Sequence, residues 1–392
     1  MPTVRRRIEG DEEYGATFLE LFYDLVFVFA ITQVAHLLLP DVTWEAAGQS
    51  ALALLVVWWA WQYTTWVTNE LDPDSIPVRL LLIGLMLASL LMAIAIPDAF
   101  GEKALLFAGS YVAIQVGRHA FLTFIAADSG SIERGRAGRI LIWFCAAGSL
   151  WIAGGFAEGE GRTLLWVAAL AIDYGGPLCT FWFPGRGRAS PEVWHVGTAH
   201  FTERFGLFVI IALGESIVIT GATTAELELN TARIAAFGGA FLGTAALWWL
   251  YFSSIAGRAE QALARSEHRT LLARDVYTYG HILIIAGIIL TAVGDELVIA
   301  HPTDELSESE LTAVVAGPTL YLLAQAALRL RITGQLSARR LSGAAGCVAV
   351  GLLAADAPAL VVGALLLAVL VAVVVADQIV IARRASRSPA PT

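Results

Sequence analysis

Charge is scarce in this sequence. Only 15% of its 392 residues are Asp, Glu, Lys or Arg, 57% are apolar, and the mean hydropathy is +0.68. Soluble globular chains carry about 25% charged residues, so the balance excludes a soluble domain and points to a membrane protein whose first partner is the lipid bilayer. Lysine is nearly missing, with Lys103 the single example, and there are three cysteines, Cys145, Cys179 and Cys347, all inside apolar stretches. An odd number of thiols in such positions excludes a disulfide framework, and they are read as small buried side chains. A glycine-rich phosphate loop, a nucleophile elbow, a Ser/Lys dyad and a zinc-binding pattern are all wanting, so no enzyme class is nominated and neither a cofactor nor a metal is implied. The formal net charge of -9, carried largely by acidic loop residues such as Glu158, Glu160, Glu226, Glu228, Asp304 and Glu305, gives no support to a nucleic-acid partner.

Apolar runs are what the chain has in quantity. About 20 consecutive apolar residues cross the roughly 30 Å of hydrocarbon in a bilayer, and twelve runs of about that length are found. They lie near 17–39, 46–68, 78–97, 104–126, 138–156, 162–183, 201–221, 232–256, 277–300, 311–330, 340–355 and 358–382. Basic residues give an independent count, because cytoplasmic loops collect Arg and Lys. With Arg5, Arg6 and Arg7 placed inside and twelve spans, 20 of the 25 basic residues fall on the cytoplasmic side. The expectation is an all-α polytopic protein of a bacterial inner membrane with both termini cytoplasmic. Glu20 and Asp24 interrupt what would have to be the uncharged core of a cleavable signal.

Short matches recur at about half the chain length. FLELF (18–22) returns as FTERF (201–205), VWWAWQYTT (57–65) as LWWLYFSS (247–254), and YVAIQ (111–115) as YLLAQ (321–325), in the same order. Six helices per half is an even number, so two such repeats enter the membrane from the same side and are parallel. The segments expected are a cytoplasmic N-terminal stretch 1–15, a first six-helix repeat 16–183, a cytoplasmic connector 184–200, a second repeat 201–382 and a cytoplasmic tail 383–392. Substrate sites in duplicated folds tend to be lined by corresponding helices, which makes the first and seventh spans the pair to compare.

Three stretches carry a resemblance. FLELFYDLVFVFAITQVAHLL at the start, ERFGLFVIIALGESIV (203–218) and YGHILIIAGIILTAVGDE (279–296) resemble the bacterial low temperature requirement A (LtrA) family over nearly the whole chain. The resemblance implies a multi-pass membrane protein associated with growth in the cold, and implies no particular substrate or reaction. The duplicated six-helix plan is also similar to that of non-voltage-gated endosomal potassium channels, whose Phe-Ser-Asp signature this chain lacks.

Polar residues inside the spans are the candidates for function, since a charge at the bilayer centre costs at least about 2.5–3.5 kcal/mol on insertion scales and is kept only where it pairs or lines a path. Glu20 and Asp24 stand one turn apart on one face of the first span, an arrangement that calls for a cation between them. Depth along the helices, at 1.5 Å per residue, puts Arg118 level with Asp24 and Arg204 level with Glu20. The expectation is an inner charge cluster of Glu20, Asp24, Arg118, His119, Glu203 and Arg204, with Asp24 against Arg118, acting either as fixed ion pairs or as an exchangeable coupling network.

A second set, Gln33, His36, Asp173, Tyr174 and Glu215, lies nearer the midplane or the outer side, with Asp295 and Glu296 read as interfacial. His195, His200 and Glu203 have the spacing H-x4-H-x2-E, which sets the two histidines about 140° apart on a helix and argues for an amphipathic lead-in rather than a metal site. Trp58, Trp59, Trp61, Trp66, Trp248 and Trp249 are read as core packing. The functions that fit are secondary transport of a small solute or ion, possible proton linkage included; a passive cation channel between the repeats; or a membrane enzyme or accessory protein acting on lipids. A homo-oligomer is compatible with each.

Overall fold

The computed structural model describes residues 4–5, 15–185, 187–189 and 196–385. Among them every regular element is helical: α1 (Phe18–His36), α2 (Trp44–Thr68), α3 (Ile76–Ala95), α4 (Ala104–Phe121), α5 (Ile132–Phe156), α6 (Gly159–Leu178), α7 (Thr198–Glu226), α8 (Thr231–Tyr251), α9 (Gly257–Arg265), α10 (Arg269–Ala273), α11 (His281–Ala300), α12 (Glu308–Thr333), α13 (Ala338–Leu353) and α14 (Ala359–Ala385). Each of the twelve apolar runs read from the sequence falls on one of the twelve helices of sixteen residues or more. Eight segments among the described residues are long and apolar enough to cross a membrane, and α2, α4, α6 and α13 fall short of that standard. The shortfall has a local cause in three of the four: α2 carries Gln62, Thr64 and Thr65, α4 carries Gln115, Arg118 and His119, and α6 carries Asp173, all of them buried.

Local chemistry sets the helix ends. Thr17 and Glu20 form a capping box at the start of α1, Ser307 and Glu310 do the same for α12, and the side chains of Ser131 and Asn230 accept from Arg134 and Arg233 backbone N–H groups at the starts of α5 and α8. Each such cap satisfies an N–H that the first turn leaves without an intrahelical partner. Gly334, at φ +69°, takes the left-handed conformation that closes α12. π turns follow α4 at Leu122–Ala126 and α8 at Phe252–Ala256, and another precedes α11 at Arg274–Gly280.

The chain divides into two compact units. The first comprises Met1–Leu37, Trp44–Phe205 and Ser266–Arg274, the second Leu38–Thr43, Gly206–Arg265 and Asp275–Thr392, so α7 passes from one to the other after Phe205. In the first unit α2 is flanked by α1, α4 and α6, with α3 between α1 and α4 and α5 between α4 and α6. Residues 56–65 of α2 are all buried, which is why that helix tolerates polar residues on several faces. Polarity is inverted relative to a soluble bundle. Phe18, Phe22, Leu25 and Phe29 make an exposed stripe on α1, and Leu80, Ile83, Leu87 and Ile94 one on α3, while Glu20, Asp24, Ser89, Gln115 and Arg118 are buried. Apolar side chains outward and polar ones inward is the arrangement a lipid solvent selects.

In the second unit α11 lies against α12, α12 against α13, and α8 and α13 against α14. The α11–α12 approach is the close one. A Cβ added at Gly287 would come within 2.7 Å of the Tyr321 backbone nitrogen, and one at Gly294 within 2.9 Å of the Val314 Cα. Small residues at such a seam let the two backbones meet. A polar cluster interrupts the apolar packing near the end of α14. Arg340, buried, donates to Asp377, to Gln325 Oε1 (3.1 Å) and to Ser254 Oγ (2.6 Å), and Arg339 Nε donates to the other Asp377 oxygen at 2.5 Å.

Two expectations need correcting here. Cys145 and Cys179 are exposed and only Cys347 is buried, because the buried stripe of α5 runs through Phe144, Ala147, Gly148 and Trp151 and turns Cys145 away from it. Trp58, Trp59 and Trp61 are fully buried, but Trp248 and Trp249 are about half exposed, at 47% and 46%.

Candidate functional site

Four of the buried charges of the first unit form a ladder. On α1, Glu20 and Asp24 are one turn apart, and on the opening turns of α7 so are His200 and Arg204; the four meet acid to base. Glu20 Oε1 lies 2.8 Å from His200 Nε2 and 3.7 Å from Arg204 Nη1, and Arg204 Nη2 donates to Asp24 Oδ1 at 2.7 Å. All four are 0 or 1% exposed. Glu20 does two jobs, since its other oxygen, Oε2, accepts from the Thr17 backbone N–H at 2.9 Å and closes the cap of α1. Asp24 Oδ1 also accepts from Trp61 Nε1 at 2.7 Å, and the Arg204 guanidinium lies 5.9 Å from the centre of the Trp61 ring. Asp24 Oδ2, equally buried, has no hydrogen-bond donor.

Arg118 stands apart from this ladder. The expected pairing with Asp24 is not formed, because Arg204 occupies that carboxylate and Arg118 turns toward α2. Its guanidinium donates to the Ala60 carbonyl (3.1 Å), to Thr64 Oγ1 (2.8 Å) and to Gln115 Oε1, all neutral acceptors. The rings of Tyr63 and Phe144 lie 5.4 and 6.0 Å from its Cζ. Thr64 also accepts from the Tyr23 hydroxyl at 2.9 Å, tying α1, α2 and α4 together at this level.

A third polar point lies farther along α4. Tyr111, Gln115 and Arg118 are spaced i, i+4, i+7 and form one stripe. The Tyr111 hydroxyl donates to Asp173 Oδ2 at 2.8 Å and Trp151 Nε1 donates to the same atom at 3.0 Å. Asp173 repeats the pattern of Asp24: one oxygen receives two donors, and the other, Oδ1, is buried without one.

Of the other residues singled out from the sequence, His119 is buried with Nδ1 3.1 Å from the Gln115 carbonyl and its ring against Tyr63 and Phe144. Glu203 does not join the charge cluster. It is exposed, and its Oε2 accepts from the Ala16 backbone N–H at 2.8 Å, because α7 presents His200 and Arg204 inward and Glu203 lies off that face. The His200 ring and the Glu203 carboxylate thus serve different partners, and His195 lies outside the described residues. Tyr174 is half-buried, stacks on Trp59 with ring centres 3.8 Å apart and donates to the Leu55 carbonyl at 2.9 Å. Gln33 is half-buried and His36 exposed at the end of α1. Glu215, 2% exposed, belongs to the second unit, where Asp295 and Glu296 are half-buried.

The sequence reading missed His200 as the partner of Glu20, Thr64 and Gln115 as the holders of Arg118, and Tyr111 and Trp151 as the holders of Asp173. One signal was available for the first: His200 and Arg204 repeat the i, i+4 spacing of Glu20 and Asp24 with opposite charge. The rest had no signal, since a Thr, Gln, Tyr or Trp in an apolar helix looks alike whether it packs or donates.

The family model described as bacterial low temperature requirement A protein (LtrA) matches residues 15–375. A protein of Rhizobium meliloti (strain 1021) that is itself uncharacterized is 38% identical over 318 residues, covering 81% of this chain and 77% of the relative. No solved structure matches. A match that begins within the lead-in to α1 and ends within α14 spans most of the chain, including every buried charge of the first unit, and on that ground this chain belongs to the LtrA family of membrane proteins.

Proposed function

We propose that the protein is a secondary transporter of a small solute or ion, proton-linked, with the buried polar network of its first unit as the working part. The observation that carries this reading is the state of its carboxylates. Asp24 and Asp173 each keep one buried oxygen with no donor, while the opposite oxygen receives two. A structural carboxylate in an apolar surround is held by donors at both oxygens; one held on a single side can take up a proton or a cation and release it with its position unchanged. The charge ladder supports the reading too, because acid and base on two helices in matched i, i+4 register can exchange partners by a small slide of one helix past the other.

In this reading all twelve long helices cross the bacterial inner membrane with both termini cytoplasmic, and the segments 16–183 and 201–382 are parallel repeats. The positive-inside distribution of Arg and the three sequence matches in register support that topology. Buried, polar α2, α4 and α6 are what a transporter core requires, since helices that bear the path are shielded from lipid by those that do not.

The test is flux through the purified protein in liposomes, followed with an internal pH dye and a potassium-sensitive dye. Saturable flux coupled to a proton gradient, lost in Asp24→Asn and in Asp173→Asn, is the expected outcome. Single-channel currents in place of saturable flux would favour a passive pore, and the absence of ion movement under any imposed gradient would overturn the reading.

A further inference from the structure

Arg118 is the only arginine of the first unit that is 0% exposed and lacks a carboxylate partner among the described residues. Arg204, equally buried, has Asp24 and Glu20. We propose that Arg118, with the side-chain amide of Gln115, binds a small monovalent anion inside the first unit, and that such an anion is the solute class the protein carries.

Three observations lead there. An uncompensated charge in a membrane interior is strongly disfavoured, and neutral acceptors orient a guanidinium without cancelling its charge. Ala60, Thr64 and Gln115 do just that, fixing Nη1 and Nη2 and leaving Nε, also buried, with no acceptor. Gln115 gives its oxygen to Arg118, and its amide nitrogen, one turn along the same stripe, is likewise buried, beside the Tyr111 hydroxyl but with no acceptor at hydrogen-bond distance. Two buried donors without acceptors, one of them on a full positive charge, are what a carboxylate, halide or nitrate needs. The nearby acid does not serve instead. Asp173 is engaged by Tyr111 and Trp151 and makes no ion pair with Arg118, although its charge acts on the guanidinium from beyond contact distance. The surround selects for size and charge: the Tyr63 and Phe144 rings beside the guanidinium offer an apolar wall, which disfavours a heavily hydrated divalent anion.

The meaning of this site as the place of the solute rests on the transport reading, but its test is a binding measurement that needs no flux. Full-length protein in detergent is melted while chloride, nitrate, acetate or lactate replaces gluconate at constant ionic strength. Binding to the folded state raises the melting temperature along a saturating curve. Wild type is expected to show that curve with at least one of the four anions. Gln115→Glu places a carboxylate against Arg118, so this variant should melt above wild type in gluconate and respond to the anion roughly tenfold more weakly or not at all. Arg118→Gln should lose the response if it folds; Gln115→Glu decides the matter if it does not. A Gln115→Glu protein that responds as wild type does, or a wild type that responds to none of the four, overturns the proposal. Anion binding without flux would sink the transport reading and leave the site standing, whereas flux without anion binding would do the reverse.

Discussion

The two units bury charge in different ways. In the second, Arg340 meets Asp377, Gln325 and Ser254 while Arg339 reaches the remaining Asp377 oxygen, so both sides of the pair are supplied. Around it α11 and α12 meet along glycines, Gly287 over Tyr321 and Gly294 over Val314, with little room for rearrangement. In the first unit three charge centres follow one another through α1, α2, α4 and α6: the Glu20/Asp24 to His200/Arg204 ladder, Arg118 among neutral acceptors, and Asp173 with one bare oxygen. A saturated pair inside tight packing is a fixture. Buried groups left half-satisfied are costly; the first unit keeps several along one course, and the second keeps Gln325 Nε2 and Asp295 Oδ2 in the same condition. Both units contain a helix carrying YxxxQ, and in both the glutamine oxygen accepts from a buried arginine, Gln115 from Arg118 and Gln325 from Arg340. What differs is the acid: Arg340 has one in ion-pair contact and Arg118 does not.

The comparison breaks most visibly when one partner of a buried pair is removed. Arg204→Met and Asp377→Asn should each destabilise by about 3–5 kcal/mol, because each leaves a buried charge alone, as read from unfolding of the purified protein in detergent. They should part in function. Asp377→Asn rescued by low temperature or lipid should keep its flux per folded molecule, whereas Asp24→Asn should lose it; equal losses would erase the distinction between fixture and working network. A double-mutant cycle sharpens the same point, with a coupling of roughly 1–3 kcal/mol for Asp24 with Arg204 and close to none for Asp24 with Arg118.

Packing gives the next effect. Gly287→Ala should cost about 1–3 kcal/mol by forcing α11 off α12, while Gly84→Ala on α3, where an added Cβ meets nothing within 4 Å, should be neutral or slightly stabilising through helix propensity. Thermal unfolding of the two variants side by side checks this. Tyr111→Phe, which removes one of the two donors on Asp173 Oδ2, should cost about 1–2 kcal/mol and reduce flux, measured together on one preparation. The smallest effect separates the two capping boxes. Gln can close such a box as Glu does, so Glu310→Gln at exposed α12 should change stability by under about 0.5 kcal/mol; Glu20→Gln keeps its cap but forfeits the charge facing His200 and Arg204, and should cost more.

Much of the fold was legible in advance. Helix positions came from the length of the apolar runs, which depends on a few consecutive residues and the thickness of a bilayer; the caps Thr17, Ser131, Asn230 and Ser307 that set four of the starts were not read in advance. The candidate site was legible in part. That Glu20, Asp24, Arg118, Arg204 and Asp173 are buried follows from charged residues standing in apolar helices, but the assignment of partners was wrong for Arg118 and for Glu203. Depth was the coordinate used, and depth puts Arg118 level with Asp24 without saying which way either points. The spacing of His200 and Arg204 held the missing azimuth, and reading His200 as part of an amphipathic lead-in hid it.

What the sequence determined by itself is therefore one-dimensional: the stretch of chain each long helix occupies, how far along it each charge lies, and that the charges face inward because lipid lies outside. Only the tertiary structure decided which helices adjoin and how each is rotated. Those two facts gave Asp24 to Arg204, turned Arg118 toward Thr64 and Gln115, and set Tyr111 and Trp151 on one oxygen of Asp173. Rotation about a helix axis is fixed by packing with residues far away in the chain, where a single 100° step separates the buried Arg204 from the exposed Glu203.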